Sequence, residues 1–206
     1  MPDKPSTELI SSTDVLRGQI ADCRVCEMHL PAGCRPVVSL SPNARCVIIG
    51  QAPGRRVHDT GIPWNDPSGD RLRSWLGLGD TPLHQREDLG IVPMGFCYPG
   101  KGKSGDLPPR KECAPLWHDN CLAHMPGARL ILLIGQYAQR AYLPPDFLKA
   151  YPRLQDRVRH FEQVPEPFFP LPHPSPRNRR WFAQNPWFEG EVVPVLQRRL
   201  AAAGLR

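Results

Sequence analysis

Residues 44–72 read ARCVIIGQAPGRRVHDTGIPWNDPSGDRL, and this stretch decides the fold. Residues 47–49 form a short β-branched run that Gly50 ends, a pattern that predicts a buried strand of a parallel sheet covered on both faces. A polar loop follows, and a helix begins near Pro67 or Ser68. Because ligands of open α/β sheets bind outside the carboxyl ends of the strands, we expect the active site in the loop after this strand.

Strands and helices alternate along the rest of the chain. Further apolar runs predict strands at residues 89–94, 130–135 and 168–171. Helical patterns occur at residues 110–125, 136–143 and 191–200, after a first helix that Ser12 or Thr13 caps. Residues 95–109 are broken by Gly and Pro and predict an irregular loop. The alternation predicts an α/β fold, with a parallel sheet between helices, and we expect residues 1–206 to form one domain.

The composition describes a soluble, basic protein. The chain has 206 residues, a mean hydropathy of −0.41 and a net charge of +6. A basic surface suits a polyanionic partner, although a soluble protein that is merely basic is an equally simple interpretation. No apolar run approaches the roughly 18 residues of a membrane span, and the first ten residues lack the apolar core of a signal peptide. We therefore expect a cytoplasmic protein with no membrane partner, and we take it to be a monomer.

Four of the seven cysteines form two pairs along the chain. Cys23 and Cys26 form a CxxC motif at the end of the first helix, and Cys97 and Cys113 form a second, widely spaced pair. A chain without a secretory signal does not favour a disulfide framework, and a thioredoxin-like CxxC opens a helix rather than closing one. Four thiolates hold either zinc or an iron-sulfur cluster, and the spacing leaves both open. Cys34 could compete as a ligand.

A second candidate motif is HPSPRN at residues 173–178, placed after the last predicted strand. The prolines on both sides of Ser175 restrict the backbone, so His173 is held on a stiff turn at the carboxyl edge of the sheet. An imidazole there could donate a hydrogen bond to a developing oxyanion, and Arg177, Arg179 and Arg180 could contact phosphates. A single loop histidine taken at random is more often incidental.

Taken in order, these motifs resemble the uracil-DNA glycosylase superfamily, and most closely its iron-sulfur branch, families 4 and 5. The resemblance spans residues 23–178 and rests on GQAPG after the first strand, the following G-x-P-W-x-D-x-x-G-D-R-L, the CxxC, the C-x15-C and HPSPRN. It implies a three-layer α/β/α sandwich with a four-stranded, mainly parallel sheet. It also implies a DNA glycosylase, which hydrolyses the bond between uracil or another deaminated base and deoxyribose after the base has been flipped out of the DNA.

The resemblance also assigns roles to single residues. It implies that Cys23, Cys26, Cys97 and Cys113 hold a [4Fe-4S] cluster, which favours iron-sulfur over zinc. Trp64 matches the aromatic position on which the flipped base stacks. The remaining substrate-binding positions lie in the first and last motifs: Gln51, Ala52 and Gly54 line the pocket, and Ser175, Arg177 and Asn178 belong to the loop that wedges into the duplex.

Two residues are candidates for the chemistry. His173 matches the histidine that hydrogen-bonds a uracil carbonyl. Asp59 lies where related enzymes place a water-activating side chain, and a carboxylate there could orient water or stabilise an oxocarbenium-like sugar. The alternative interpretation of Asp59 is a turn-forming residue before Gly61. We expect Asp66 to cap the following helix.

The chain departs from the family pattern at three places, and the departures suggest a divergent member. HPSPRN is nearer to the single-strand-selective branch than to the iron-sulfur branch, which often has Leu where this chain has Arg177. Residues 91–95 read IVPMG and lack the Asn that many members use to contact the uracil edge. Arg55 and Arg56 replace the acid that often follows the first motif. An alternative is therefore a nucleic-acid-binding protein that keeps the fold and the cluster but cleaves weakly or not at all. A third alternative is a cluster-based redox sensor.

Overall fold

The computed structural model of the protein describes residues 12–205. Residues 1–10, on which the expectation of no signal peptide rests, lie outside this range. Within the described range, none of the helices combines the length and the apolar character needed to cross a membrane.

The sheet has four strands, and every neighbouring pair is parallel. The strands are β1 (Cys46–Ile49), β2 (Leu89–Ile91), β3 (Leu130–Ile134) and β4 (Phe168–Leu171), in the spatial order β2-β1-β3-β4. Cys46, the first residue of β1, pairs with Leu89, the first residue of β2, on one side and with Leu130, the first residue of β3, on the other. These three strands therefore begin at the same level of the sheet. The predicted strands are therefore confirmed. The second strand ends at Ile91, three residues earlier than expected.

Nine α-helices surround the sheet in the described part of the chain. They are α1 (Thr13–Ala21), α2 (Arg55–Thr60), α3 (Pro67–Leu76), α4 (Cys113–Ala123), α5 (Gly135–Tyr142), α6 (Pro145–Ala150), α7 (Leu154–Arg159), α8 (Arg179–Gln184) and α9 (Val193–Ala202). Ser12 caps α1, because its hydroxyl accepts the backbone N–H of Val15 at 3.2 Å.

The sheet separates two hydrophobic cores, because successive side chains of a strand point to opposite faces. Cys46 and Ile48 of β1 pack with α3 and α9 on one face, whereas Val47 and Ile49 pack with α1, α4 and α5 on the other. All four residues of β1 are buried. This arrangement confirms the α/β/α sandwich.

The predicted loop after β1 contains a helix that the sequence analysis did not anticipate. Residues of α2 are mostly polar, and Gly54 at its start offers no side-chain cap, so no helical signal stands out. The helix forms because Val57 is buried against the protein and Arg55 bonds to Asp59 one turn later at 2.9 Å. Gly61, at φ 73°, then ends the helix in the left-handed conformation that glycine adopts readily. The short helices α6, α7 and α8 were also not predicted.

Candidate active site

A cleft of about 770 Å³ lies outside the carboxyl ends of the strands. Each of the four strands contributes the residues that follow it to the walls. Gly50 and the first motif follow β1, Pro93 follows β2, Gln136 and Tyr137 follow β3, and the turn that begins with His173 follows β4. The cleft is therefore where an open parallel sheet is expected to bind its ligand.

The structure brings almost all of the predicted site residues together in this cleft. His173 and the seven predicted substrate-binding residues line it: Gln51, Ala52, Gly54, Trp64, Ser175, Arg177 and Asn178. Asp59, the ninth predicted residue, is not among the residues that line the cleft.

Trp64 provides an aromatic face within the cleft. Its backbone has φ 57°, which is uncommon for a bulky side chain. A Cβ atom on Gly50 would stand 3.1 Å from the indole ring, so a larger residue at position 50 would push against Trp64. The ring centroid lies 5.9 Å from that of His173, with 34° between the planes. A flat aromatic surface and an imidazole therefore face the same space.

Hydrogen bonds within its own turn hold His173 in place. The backbone N–H of Ser175 donates to Nδ1 at 3.2 Å, and the side-chain amide of Asn178 donates to the His173 carbonyl oxygen at 2.8 Å. Burial lowers the pKa of His173, although the nearby carboxylates of Asp66 and Asp106 act in the opposite direction. The imidazole is therefore neutral near pH 7. Because Nδ1 accepts a hydrogen bond, the ring proton is on Nε2, which is available as a donor to the cleft.

Three aspartates near the first motif have different surroundings. Asp59 is exposed on α2, where it pairs with Arg55 and its backbone carbonyl accepts from Arg35 at 2.8 Å. Asp66 caps α3, as predicted, because Oδ1 accepts the backbone N–H of Gly69 at 2.8 Å. Both Asp66 and Asp106 line the cleft. Asp59 is therefore not placed in the cleft, where its predicted catalytic role would require it to be.

The residues of the cleft that were not predicted from the sequence include Asp106, Gln136 and Tyr137. Gln136 and Tyr137 carry a positional signal, because they come directly after the apolar run of β3. Asp106 carries none, since it lies in the Gly- and Pro-rich loop that was predicted only as irregular.

A small cavity elsewhere in the fold is lined by five cysteines, and we call it the cysteine cavity. The five are Cys23, Cys26, Cys34, Cys97 and Cys113. They come from the segment after α1, the loop after β2 and the first residue of α4. The two pairs that were read from the sequence therefore meet in space, and Cys34 joins them.

The chemistry of these thiols suits a cationic group. Burial raises the pKa of Cys97 to about 12 and that of Cys113 to about 11, so their thiolates form only with a compensating positive charge. The backbone N–H of Phe96 already donates to Cys113 Sγ at 3.5 Å. Among residues 12–205, no three potential ligand side chains converge closely enough to hold a single metal ion. The thiols surround a space instead.

Fold and cleft together define an α/β/α protein that binds a ligand at the carboxyl ends of a parallel sheet, between an aromatic face and a neutral histidine. A family model of the Uracil DNA glycosylase superfamily matches residues 38–197. The chain belongs to this superfamily. The match includes every residue of the sheet and of the cleft motifs.

Proposed function

We propose that this protein is a DNA glycosylase that hydrolyses the N-glycosidic bond of uracil or another deaminated base in DNA. Membership of the superfamily supports glycosylase action on damaged bases. The observation that carries the proposal is the state of His173, a neutral imidazole whose Nε2–H is available in a cleft beside the indole of Trp64.

The chemistry follows from these two side chains. A base within a duplex must be flipped out before water can reach its sugar carbon, at a cost of a few kcal/mol. Trp64 offers the flipped base a stacking surface. As the glycosidic bond breaks, negative charge develops on the departing base, and the Nε2–H of His173 stabilises it through a hydrogen bond to a carbonyl oxygen. A neutral donor suits this role because it keeps its proton throughout the reaction.

The residues at the end of β2 support the release of a broad range of bases. Ile91 and Pro93 line the cleft there, and neither side chain can hydrogen-bond a base edge. A site whose side-chain amide hydrogen-bonds the edge of the base strongly rejects bases that cannot make the same bonds. A site without that hydrogen bond discriminates less between bases. Gln51, Gln136 and Asn178 carry the side-chain amides that line the cleft, and the amide of Asn178 already donates to the His173 carbonyl oxygen. We therefore propose that the enzyme releases more than one deaminated base.

We further propose that Cys23, Cys26, Cys97 and Cys113 hold a [4Fe-4S] cluster. Four thiols from three parts of the chain line one cavity, and thiolates are the ligands that such clusters require. When bound, the cluster would join the end of α1 and the loop after β2 to the start of α4. None of the described residues that line the cysteine cavity also lines the cleft, which supports a structural role.

Single-turnover release of base from single- and double-stranded oligonucleotides that contain uracil, hypoxanthine or xanthine tests the proposed function. We expect release by the wild type, and a loss of about 10²-fold or more in His173→Ala. His29→Ala changes an exposed histidine outside the cleft and should match the wild type. A wild type that binds DNA in a salt-dependent manner but releases no base would instead support the binding-protein alternative.

A further inference from the structure

The loop between Cys97 and Cys113 contains a small hairpin at the edge of the cleft. Lys101 and Asp106 form an antiparallel bridge, and the backbone N–H of Gly102 donates to the Gly105 carbonyl at 2.6 Å. The N–H of Leu107 donates to the carbonyl of Gly100 at 2.9 Å and closes the hairpin. The backbone therefore fixes where Asp106 stands.

The carboxylate of Asp106 faces the first motif across the cleft. Its Oδ2 lies 3.8 Å from the point that a Cβ atom on Gly54 would occupy, and Oδ2 of Asp66 lies 3.9 Å from the same point. Tyr98 is buried beside Asp106, and the Asp106 carboxylate adds to the effect of burial in raising the Tyr98 pKa. The same carboxylate opposes the effect of burial on the pKa of His173. The acid thus stands beside the first motif and within electrostatic reach of the histidine.

The surroundings of the three candidate acids distinguish them. Asp59 does not line the cleft and is paired with Arg55. Asp66 lines the cleft, but one of its oxygens is committed to the cap of α3. Asp106 is an exposed residue that lines the cleft, has no role in starting a helix and lies beside the buried Tyr98.

We propose that Asp106 is the catalytic carboxylate of this enzyme, which positions and deprotonates the attacking water and stabilises positive charge on the sugar. This inference rests on the proposed glycosylase function. The acid would come from the hairpin after β2 rather than from the first motif, where Arg55 and Arg56 stand in place of an acid.

The step balances as a hydrolysis. The bond between C1′ of deoxyribose and the base nitrogen breaks, and its electron pair leaves with the base, whose carbonyl oxygen accepts the hydrogen bond from His173. The sugar becomes oxocarbenium-like, and the negative charge of Asp106 stabilises it. Water oxygen bonds to C1′, and Asp106 takes the water proton and returns it to solvent. The base anion then acquires a proton from solvent, and an abasic site remains.

The test compares matched aspartate variants in the single-turnover assay with a uracil oligonucleotide. We expect Asp106→Asn to slow base release by about 10²-fold or more, with DNA affinity and thermal midpoint unchanged, and Asp106→Glu to recover part of the rate. Asp66→Asn should lose much less, because Asn caps helices as well as Asp. Asp70→Asn, on the exposed side of α3 and paired with Arg73, is the control that should match the wild type.

The outcomes separate the inference from the proposed function. If the wild type releases base and Asp106→Asn stays within about threefold of it, the inference is overturned and the glycosylase function stands. A larger loss in Asp59→Asn or Asp66→Asn than in Asp106→Asn would also overturn the inference and move the carboxylate role to that residue. If the wild type releases none of the bases, the proposed function and the inference fall together.

Discussion

The backbone N–H of Ser175 donates to Nδ1 of His173 at 3.2 Å, so the tautomer of the imidazole is set by a residue two positions along the chain. Pro174 and Pro176 restrict the backbone on either side of Ser175 and hold its N–H in that direction. The HPSPRN motif is thus a device for presenting Nε2–H to the cleft.

The state of His173 makes the pH dependence of base release predictable. Because its pKa is lowered, the imidazole stays neutral and the rate should be flat from about pH 8 to about pH 6.5, falling only in more acid solution. Single-turnover rates across this range measure it. In His173→Gln, whose amide donates without titrating, the part of the acid limb due to His173 should disappear. A rate that already falls between pH 8 and 6.5 would contradict the lowered pKa.

Gly69→Ala should disrupt the loop that carries Trp64. A Cβ atom at position 69 would lie 1.7 Å from the Trp64 carbonyl oxygen, so the backbone must move. We expect a loss of about 1–3 kcal/mol in the free energy of unfolding, measured by denaturant titration, together with slower base release. Gly18→Ala is the matched control within α1, where nothing lies within 4 Å, and it should stabilise the protein by about 1 kcal/mol. Equal effects of the two substitutions would contradict the predicted clash.

His118→Ala should destabilise the fold by about 2–4 kcal/mol in the same titration. His118 is buried, with Nε2 3.0 Å from the Pro93 carbonyl and Nδ1 2.5 Å from the Tyr142 hydroxyl, so its removal leaves both groups without this partner. The exposed His29→Ala should stay within about 0.5 kcal/mol of the wild type.

His118 should also make stability depend on pH. Burial lowers its pKa, so the unfolded chain binds a proton more readily than the folded protein does. The stability that neutral His118 contributes is therefore fully present above about pH 6.5 and is lost as the pH falls toward the lowered pKa. In His118→Phe the decline of unfolding free energy in this window should be smaller than in the wild type. An identical decline would assign it to other groups.

Cys26→Ser should abolish iron binding if the proposed ligand set is correct. Protein purified anaerobically should be brown, with broad absorption near roughly 400 nm, and the variant should lose the colour and the bound iron. Cys34→Ser is the matched control, because Cys34 lines the same cysteine cavity but is outside the proposed set. If Cys34→Ser loses iron and Cys26→Ser retains it, Cys34 replaces Cys26 in the ligand set. Colourless protein loaded with zinc would overturn the proposal of an iron-sulfur cluster.

Arg177→Ala should weaken DNA binding through one phosphate contact. Arg177 lines the cleft, and its guanidinium lies against the hairpin, with Nη1 2.5 Å from where a Cβ atom of Gly105 would stand. The slope of log affinity against log salt should become shallower by about 1. Arg198→Ala, exposed on α9 and outside the cleft, should leave the slope unchanged. An unchanged slope in Arg177→Ala would contradict the expected contact between Arg177 and a phosphate.

The parts of the fold that follow from local patterns could be predicted from the sequence. Apolar runs located all four strands, and positions directly after β1 and β4 located most of the cleft, because the carboxyl ends of parallel strands share one edge. The helix α2 could not be predicted, since its stability depends on the burial of Val57 by distant parts of the chain.

The same limit explains the difference between the predicted and the proposed acid. Proximity along the sequence suggested Asp59, but a helical turn directs its side chain to Arg55. Asp106 approaches the first motif only through a hairpin whose position depends on tertiary contacts, and its sequence surroundings resemble those of any flexible loop. A residue brought to a site by such contacts leaves no periodic signal.

The cysteine cavity has a consequence for the hairpin, because residues 98–112 run from one cavity residue, Cys97, to another, Cys113. A segment whose two ends are fixed close together has lost much of its conformational entropy before any ligand arrives. The ordering of Asp106 is then part of folding rather than of DNA binding, so the enzyme meets its substrate with this side chain preorganised.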